Sequence, residues 1–265
     1  MARTLWAVSD LHVTFEQNQQ TVSQLKPTDP GDWLIVAGDV AERIPDVVRT
    51  MSLLSSRFEK VIWVPGNHEL FNRSTDRLNG KARYRALVGQ LRALGVITPE
   101  DPYPVFAGIT ICPMFTLYDY SFRPQGMSIG LTHKQAIAQA KVKLDDELAI
   151  APYVDIPSWC AERLEYTEER LKATKGPKIL VNHWPLVIEP TRRLFEPDIA
   201  LWCGTTATRD WAVRYNALMA IHGHLHIPAE TRVDNISHIE VSLGYPFEKH
   251  SPHLKRPWPF PVMRG

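Results

Sequence analysis

Short uninterrupted apolar runs alternate along the chain with longer stretches in which apolar residues recur every three or four positions. The runs are Thr4 to Val8, Trp33 to Ala37, Val61 to Val64, Ile179 to Val181 and Leu218 to Ile221, each closed by a polar or glycine-bearing turn. Continuous runs of that length, bounded by turns, predict strands buried on both faces. The periodic stretches predict helices over Pro45 to Arg57, Lys81 to Leu94, Lys134 to Ala149 and Ser158 to Thr174, with Ser158 a candidate cap for the last. Val105 to Ile111 and His238 to Leu243 are further β-like runs that extend or complete the sheets. The fold class is therefore α/β. Between Cys112 and Lys178 the order is broken by Pro113, Pro124, Pro152 and Pro157. Within one domain over residues 1–265, residues 113–178 read as a partly helical insertion on the substrate side. The proline-rich tail from Ser251 is expected to be extended or poorly ordered.

Composition narrows the classes. At 265 residues and 44% hydrophobic, the chain can bury a sizeable core. A net charge of +1 gives no basic footprint and argues against a nucleic-acid partner. Cys112, Cys160 and Cys203 are too widely spaced for a zinc motif and too few for a disulfide framework, which suits a reducing cytoplasm. The N-terminus lacks the apolar run of a signal peptide, and no stretch reaches membrane-spanning length. A cytoplasmic protein without a membrane partner is the expectation.

The chemistry lies in the turn at the end of each strand. The five turns read Ser9-Asp10-Leu11-His12, Gly38-Asp39-Val40-Ala41-Glu42-Arg43, Pro65-Gly66-Asn67-His68-Glu69, Asn182-His183 and His222-Gly223-His224-Leu225-His226. Ligands of open α/β sheets gather at the carboxyl ends of strands, so these turns can meet in one crevice. Any one alone is ambiguous: Asp-x-His is equally a turn with a helix cap, and a lone histidine after a strand is more often structural. Three imidazoles around one glycine are harder to explain as packing. Carboxylates, an amide and imidazoles without cysteine suit manganese, iron(II) or zinc.

In this order, the motifs resemble those of the calcineurin-like metallophosphoesterases from Asp10 to His226. The resemblance implies a two-sheet mixed β sandwich flanked by helices, with two divalent metal ions (manganese and/or iron, with zinc also suitable) at one edge. It implies that Asp10, His12 and His226 hold one cation, that Asn67, His183 and His224 hold the other, and that Asp39 bridges them. Two such cations about 3.5–4 Å apart polarise a phosphoryl oxygen and activate a shared water as a bridging hydroxide. His68, beside a ligand without being one, would protonate the leaving oxygen. Glu42 stands where the protein-phosphatase branch has the aspartate that pairs with this histidine, and Arg43 matches its phosphate-contacting arginine. A solvated surface charge is an equal reading of Arg43. His222 is a candidate neighbour of the ligands, while His133, His238, His250 and His253 have no motif around them.

The core motifs do not name a substrate. Ser-Asp-Leu-His, and Pro65 before Gly66-Asn67-His68, depart from the serine/threonine protein phosphatases. Further blocks resemble the actinobacterial phosphopantetheinyl hydrolases: Asp32 to Arg43, Val61 to Leu70, Pro113 to Phe122, Leu201 to Thr206, Tyr215-Asn216, Gly223 to Pro228 and Glu240 to Pro246. That resemblance implies hydrolysis of the phosphodiester between 4′-phosphopantetheine and the serine of a holo-acyl carrier protein. A phosphatase acting on a small phosphorylated metabolite or nucleotide is the alternative, and a non-catalytic metal-binding scaffold a third. Met114 to Phe122 reads either as the aromatic wall of a pocket or as core. Arg192 and Arg193 can meet a second phosphate or an acidic carrier protein, or can simply be solvated.

Overall fold

In the computed structural model, which describes residues 3–72, 77–248 and 257–265, every residue of the first two strands but Trp6 is buried. The strands are β1 (Thr4–Val8), β2 (Trp33–Val36), β3 (Lys60–Trp63), β4 (Val105–Phe106), β5 (Ile109–Pro113), β6 (Lys178–Val181), β7 (Ala217–His222), β8 (Glu230–Val233), β9 (Ile236–Glu240) and β10 (Phe260–Arg264). They form a four-stranded sheet in the order β10-β1-β2-β3 and a six-stranded sheet in the order β4-β5-β6-β7-β9-β8. Strands β1 to β3 are parallel, as are β5, β6, β7 and β9, whereas β10, β4 and β8 pair antiparallel at the edges. Both sheets are thus mixed, as expected.

The continuous apolar runs are explained by layers on both faces. Leu5, Ala7, Ile35 and Ile62 point inward and share one cluster with Ile111, Ile179, Val181, Ile221 and Ile239 of the other sheet. The alternate residues Val8, Leu34, Val36, Val61 and Trp63 point outward into a second cluster that faces helices. Burying each such side chain is worth about 1.5–3 kcal/mol. The helices are α1 (Glu16–Ser23), α2 (Ile44–Ser55), α3 (Asn67–Leu70), α4 (Gly80–Ala93), α5 (His133–Gln139), α6 (Asp146–Ala149), α7 (Ile156–Ala173) and α8 (Trp211–Arg214). Helix α2 starts with Pro45 in its first turn and buries Val47, Met51 and Leu54 at helical spacing, and α4 buries Tyr84, Leu87 and Leu91.

Several elements differ from the sequence expectation. Helix α7 starts at Ile156, with Asp155 rather than Ser158 as its cap: the Asp155 carboxylate accepts from Ser158 N at 3.3 Å. Pro157 is tolerated there because a first-turn residue has no intrahelical use for its N–H. The expected helix over 134–149 is two helices, α5 and α6, because the chain leaves the helix at Ala140 and Lys141 N donates to Asp198 Oδ2 at 2.8 Å. The polar segment of α1 gave no apolar period, and it is anchored by Asn18, which donates to Leu11 O and Gly244 O. Of the tail, Phe260–Arg264 is extended as expected, but as strand β10 paired to β1. His250 and His253 lie outside the described residues. No helix among the described residues is long and apolar enough to cross a membrane.

Asp32 ties β1 to the turn before β2. Its buried carboxylate accepts from Thr4 N (2.6 Å), Trp6 Nε1 (3.0 Å), Thr28 N (2.8 Å), Thr28 Oγ1 (2.9 Å) and Asp29 N (3.0 Å). Burial pushes its pKa up, but these donors outweigh burial and bring it down to about 2. A carboxylate whose folded pKa lies below its unfolded value stabilises the fold above the unfolded value, about 4, and loses that contribution as pH falls through the folded one. Asp32→Asn is expected to cost about 2–3 kcal/mol at pH 7. Urea denaturation should show the gap to wild type shrinking as pH falls from 4 toward 2, and a gap independent of pH would contradict this account.

Candidate metal centre and active-site crevice

The two sheets meet where the strands of the central motifs end. A parallel bridge joins Ser9, just past β1, to Ser242, past β9, with Ser9 N donating to Val241 O at 3.0 Å and Leu243 N to Ser9 O at 2.8 Å. This seam sets the turns after β1, β2 and β3 against those after β6 and β7. The turns are tight: Asp10, His12, Asp39, His224 and His226 all have positive φ, between 40° and 77°. Such conformations are unfavourable for residues with a side chain and persist where surrounding structure enforces them. Close approach also demands glycine at two places. A Cβ on Gly66 would overlap the Asp39 carboxylate, and one on Gly223 would overlap Ser9 Oγ and the Asp10 carboxylate.

The seven side chains that the resemblance implied as ligands lie together in overlapping groups. In one, His226 Nε2 is 3.2 Å from Asp10 Oδ1 and 3.1 Å from His12 Nε2. In the other, His183 Nε2 is 3.3 Å from Asp39 Oδ2 and 3.2 Å from Asn67 Oδ1, while His224 Nδ1 is 3.1 Å from the same Asn67 oxygen. Asp39 Oδ2 is also 4.0 Å from His12 Nε2, between the groups. The far ring atoms decide which nitrogens present lone pairs. His183 Nδ1 lies 2.8 Å from Ala37 O and His226 Nδ1 lies 2.9 Å from Glu248 Oε2, so each places a hydrogen on Nδ1 and turns the Nε2 lone pair toward the neighbouring oxygens. Lone pairs facing carboxylate and amide oxygens at these distances repel unless positive charge lies among them. The residues present therefore fit a pair of divalent cations.

The local electrostatics express the same demand. Burial disfavours a charged His183, yet the Asp39 carboxylate overrides it and carries the pKa up to about 9. His226 is likewise raised despite burial, through Asp10 and Glu248. Burial dominates at His12 and His224 and lowers both to about 3. Asp10 and Asp39 stay below the usual carboxylate range despite burial because of the imidazoles around them, led by His226 and His183 respectively.

His68 stands at the mouth. Its Nδ1 is 3.4 Å from Glu42 Oε1, while its Nε2 is 3.3 Å from Tyr245 Oη and 3.9 Å from Asp39 Oδ2. Burial opposes its protonation, but Asp39 and Glu42 raise its pKa. Arg43 is not brought into this cluster. Its side chain is 72% exposed at the start of α2, with Nε 4.0 Å from Asp46. The crevice, about 280 Å³, takes its lysine from Lys143, before α6, and its apolar wall from Leu144, Leu194, Ile199 and Leu225. His222 is buried with Nδ1 3.0 Å from Gly223 O, His238 is buried in β9, and His133 stacks on Tyr120.

Four residues that hold the cluster were not singled out by the sequence. The Glu69 carboxylate accepts from Asp39 N, Val40 N and Gly66 N at 2.6–2.9 Å, locking two ligand turns together. Glu248 orients His226 and accepts from Tyr245 N at 2.7 Å. The Tyr245 ring packs 4.4 Å from that of His12. Asp146, the first residue of α6, accepts from Asn67 Nδ2 at 3.2 Å and from Tyr118 Oη at 3.0 Å. A carboxylate can only accept, so it takes the amide NH₂ and leaves Oδ1 facing His183 and His224. The hints were a capping-type Glu two residues after Asn67 and the Glu240 to Pro246 block that contains Tyr245; Asp146 and Glu248 carried no local signal. Met114 to Phe122 is core rather than pocket wall: its aromatic rings are buried, and the Tyr118 and Tyr120 hydroxyls donate to Asp146 and Glu147.

The calcineurin-like phosphoesterase profile matches residues 3–228. The chain is 47% identical over 255 residues to the [acyl-carrier-protein] phosphodiesterase PptH of Mycobacterium tuberculosis, covering 92% of this chain and 79% of that protein. The crystal structure of that organism's phosphopantetheinyl hydrolase superposes with a TM-score of 0.92 at 44% identity, over 99% of this chain and 96% of the other.

Replacing Asp146 by Leu should free the Asn67 amide to rotate and weaken the cation site it shares with His183 and His224. Loss of a residue that orients a ligand typically costs roughly 10–100-fold in metal affinity. Elemental analysis after desalting should find one cation retained and the other lost, with Asp146→Glu recovering part of the loss. Full loading of Asp146→Leu would show that Asn67 needs no such anchor.

Proposed function

Because this chain belongs to the calcineurin-like phosphoesterase family, we propose that it is a phosphodiesterase that removes 4′-phosphopantetheine from the serine of a holo-acyl carrier protein. It is a metallophosphoesterase hydrolase, homologous to an acyl-carrier-protein phosphodiesterase. The observation that carries the substrate reading is similarity running through nearly the whole chain, well beyond the ligand turns.

Asp10, His12 and His226 would hold one cation, and Asn67, His183 and His224 the other, with Asp39 between them. Bound there, manganese, iron or zinc would neutralise charge on the phosphoryl oxygens and lower the pKa of water. His68 is the proton donor in this reading. Glu42 accepts from Nδ1–H and, with Asp39, favours the charged imidazole, while Nε2 faces the crevice beside Tyr245. As hydroxide derived from water bonds to phosphorus and the bond from phosphorus to the serine oxygen breaks, His68 Nε2 gives its proton to that oxygen. The apolar wall of Leu144, Leu194 and Ile199 excludes water around the departing group, and Lys143 adds positive charge near the phosphate.

The test is intact-protein mass spectrometry of a holo-acyl carrier protein incubated with the manganese-loaded chain. Conversion to the apo mass is expected, with His68→Ala slower by roughly 10²–10⁴-fold. An unchanged carrier protein with p-nitrophenyl phosphate still hydrolysed would replace this reading with a phosphatase acting on a small phosphorylated metabolite.

A further inference from the structure

A second cavity, about 500 Å³, adjoins the crevice and shares Leu194 with it. Its walls come from the loop after Phe122 and from residues 188–200, including Arg123, Pro124, Ile188, Arg192 and Pro197. Ile188, Leu194 and Ile199 pack as partly buried side chains on one small cluster of Phe122, Ala200, Cys203 and Leu225. Ile199 and Leu225 line the crevice, and Ile188 lines the cavity. One apolar surface therefore runs continuously from the metal centre into the second cavity.

The guanidinium of Arg123 on this wall is only partly satisfied within the fold. Arg123 donates through Nη2 to Leu131 O at 3.0 Å, but its Nη1 is buried with no hydrogen-bond partner. Among the described residues no carboxylate lies within ion-pair distance of Arg123 or Arg192. Arg193, by contrast, is used within the fold, donating to Thr231 Oγ1 and Glu230 O. The rest of the Arg123 guanidinium is partly exposed on the cavity wall, where a ligand carbonyl gains a charge-assisted hydrogen bond.

We propose that this second cavity is the subsite for the pantetheine arm of the substrate. The assignment rests on the carrier-protein reading above. That arm is a flexible chain of two amides, a hydroxyl and a dimethyl branch, attached at the phosphate. The apolar wall at Ile188 and Leu194 takes its branch and methylenes, and the partly exposed guanidinium of Arg123 takes an amide carbonyl. Arg192 stands exposed at the rim, where it meets the outer part of the arm. The volume falls within the range of about 300–1,000 Å³ typical of small-molecule sites. The phosphate would sit in the crevice while the arm extends past Leu194 and the carrier protein remains outside.

The test compares binding of 4′-phosphopantetheine and of inorganic phosphate to the metal-loaded chain by calorimetry. Wild type should prefer 4′-phosphopantetheine, because only that ligand reaches the cavity. Arg123→Met should reduce the ratio of the two affinities by roughly tenfold, as expected for one hydrogen bond to a charged donor. Arg123 is partly buried, so Gln125→Trp, at an exposed position on the cavity lining, provides a second variant that obstructs entry without touching the core. It should lower the same ratio. Equal affinities in wild type, or a ratio unmoved in Gln125→Trp, would overturn the subsite. Loss of the ratio in the variants would uphold the subsite even if holo-carrier protein were not turned over, in which case only the carrier-protein reading fails. Turnover of holo-carrier protein with an unmoved ratio removes the subsite alone.

Discussion

The structure depends on a concentration of lone pairs that only positive charge can hold together. Two carboxylates, an amide oxygen and four imidazoles converge where the sheets join, and their nearest atoms lie 3.1–3.3 Å apart. Desolvation works against every charged group there, yet the histidines nearest the carboxylates are pushed toward protonation. Protons and cations answer the same demand, and a pair of divalent ions answers it with far more charge. Holding such a cluster needs a rigid frame. The buried layer between the sheets supplies it, and the bridge at Ser9 and Ser242 fixes the seam.

Around the cluster, most of the groups facing away from its centre are fastened to acceptors or donors of opposite kind, whereas His224 Nε2 is buried without a hydrogen-bond partner. Ala37 O and Glu248 set the ring orientation of His183 and His226, Asp146 sets the amide of Asn67, and Glu69 sets the Asp39 turn. Two of these contacts rely on buried carboxylates, and burial raises the pKa of Glu69 to about 7 and of Asp146 to about 6. Polar networks of this kind are stable only when their members are satisfied. Tyr118, Tyr120 and Trp202 complete this one from the core side, with Tyr120 and Trp202 both donating to Glu147 at 2.8–2.9 Å. Helix α6 thus belongs to the metal centre and to the crevice at once, because Lys143, Leu144 and Asp145, just before it, line the crevice. Substrate wall and ligand anchor come from the same short segment.

The left-handed turns at Asp10, His12, Asp39, His224 and His226 show where local preference is overruled. None of these residues is glycine, and each turn is stabilised by contacts made from elsewhere in the chain. His12 N donates to Asp39 O, His224 N to the Asp10 carboxylate, and Gly244 N to Asp10 O. Strain in one motif is compensated by hydrogen bonds from another, so the motifs can only form together.

The sequence by itself determined the family, the strands that carry the motifs and the identities of the seven side chains that converge. It could do so because buried parallel strands impose uninterrupted apolar runs, and the motifs sit immediately after them. Pattern also located α2 and α4, whose apolar faces recur at helical spacing. Tertiary structure alone decided what surrounds the motifs. Asp146 and Glu248 act through single hydrogen bonds to residues 79 and 22 positions away, a distance at which periodicity carries no information. The break between α5 and α6 depends on Asp198, 57 positions from Lys141, and the two readings of Met114 to Phe122 differ only in what packs over them. Arg43 was matched by position in a motif, but its direction was set by the start of α2, which turns it to solvent. Local propensity specifies elements and adjacent ligands; contacts between distant segments specify orientation, because orientation depends on which groups meet across the fold.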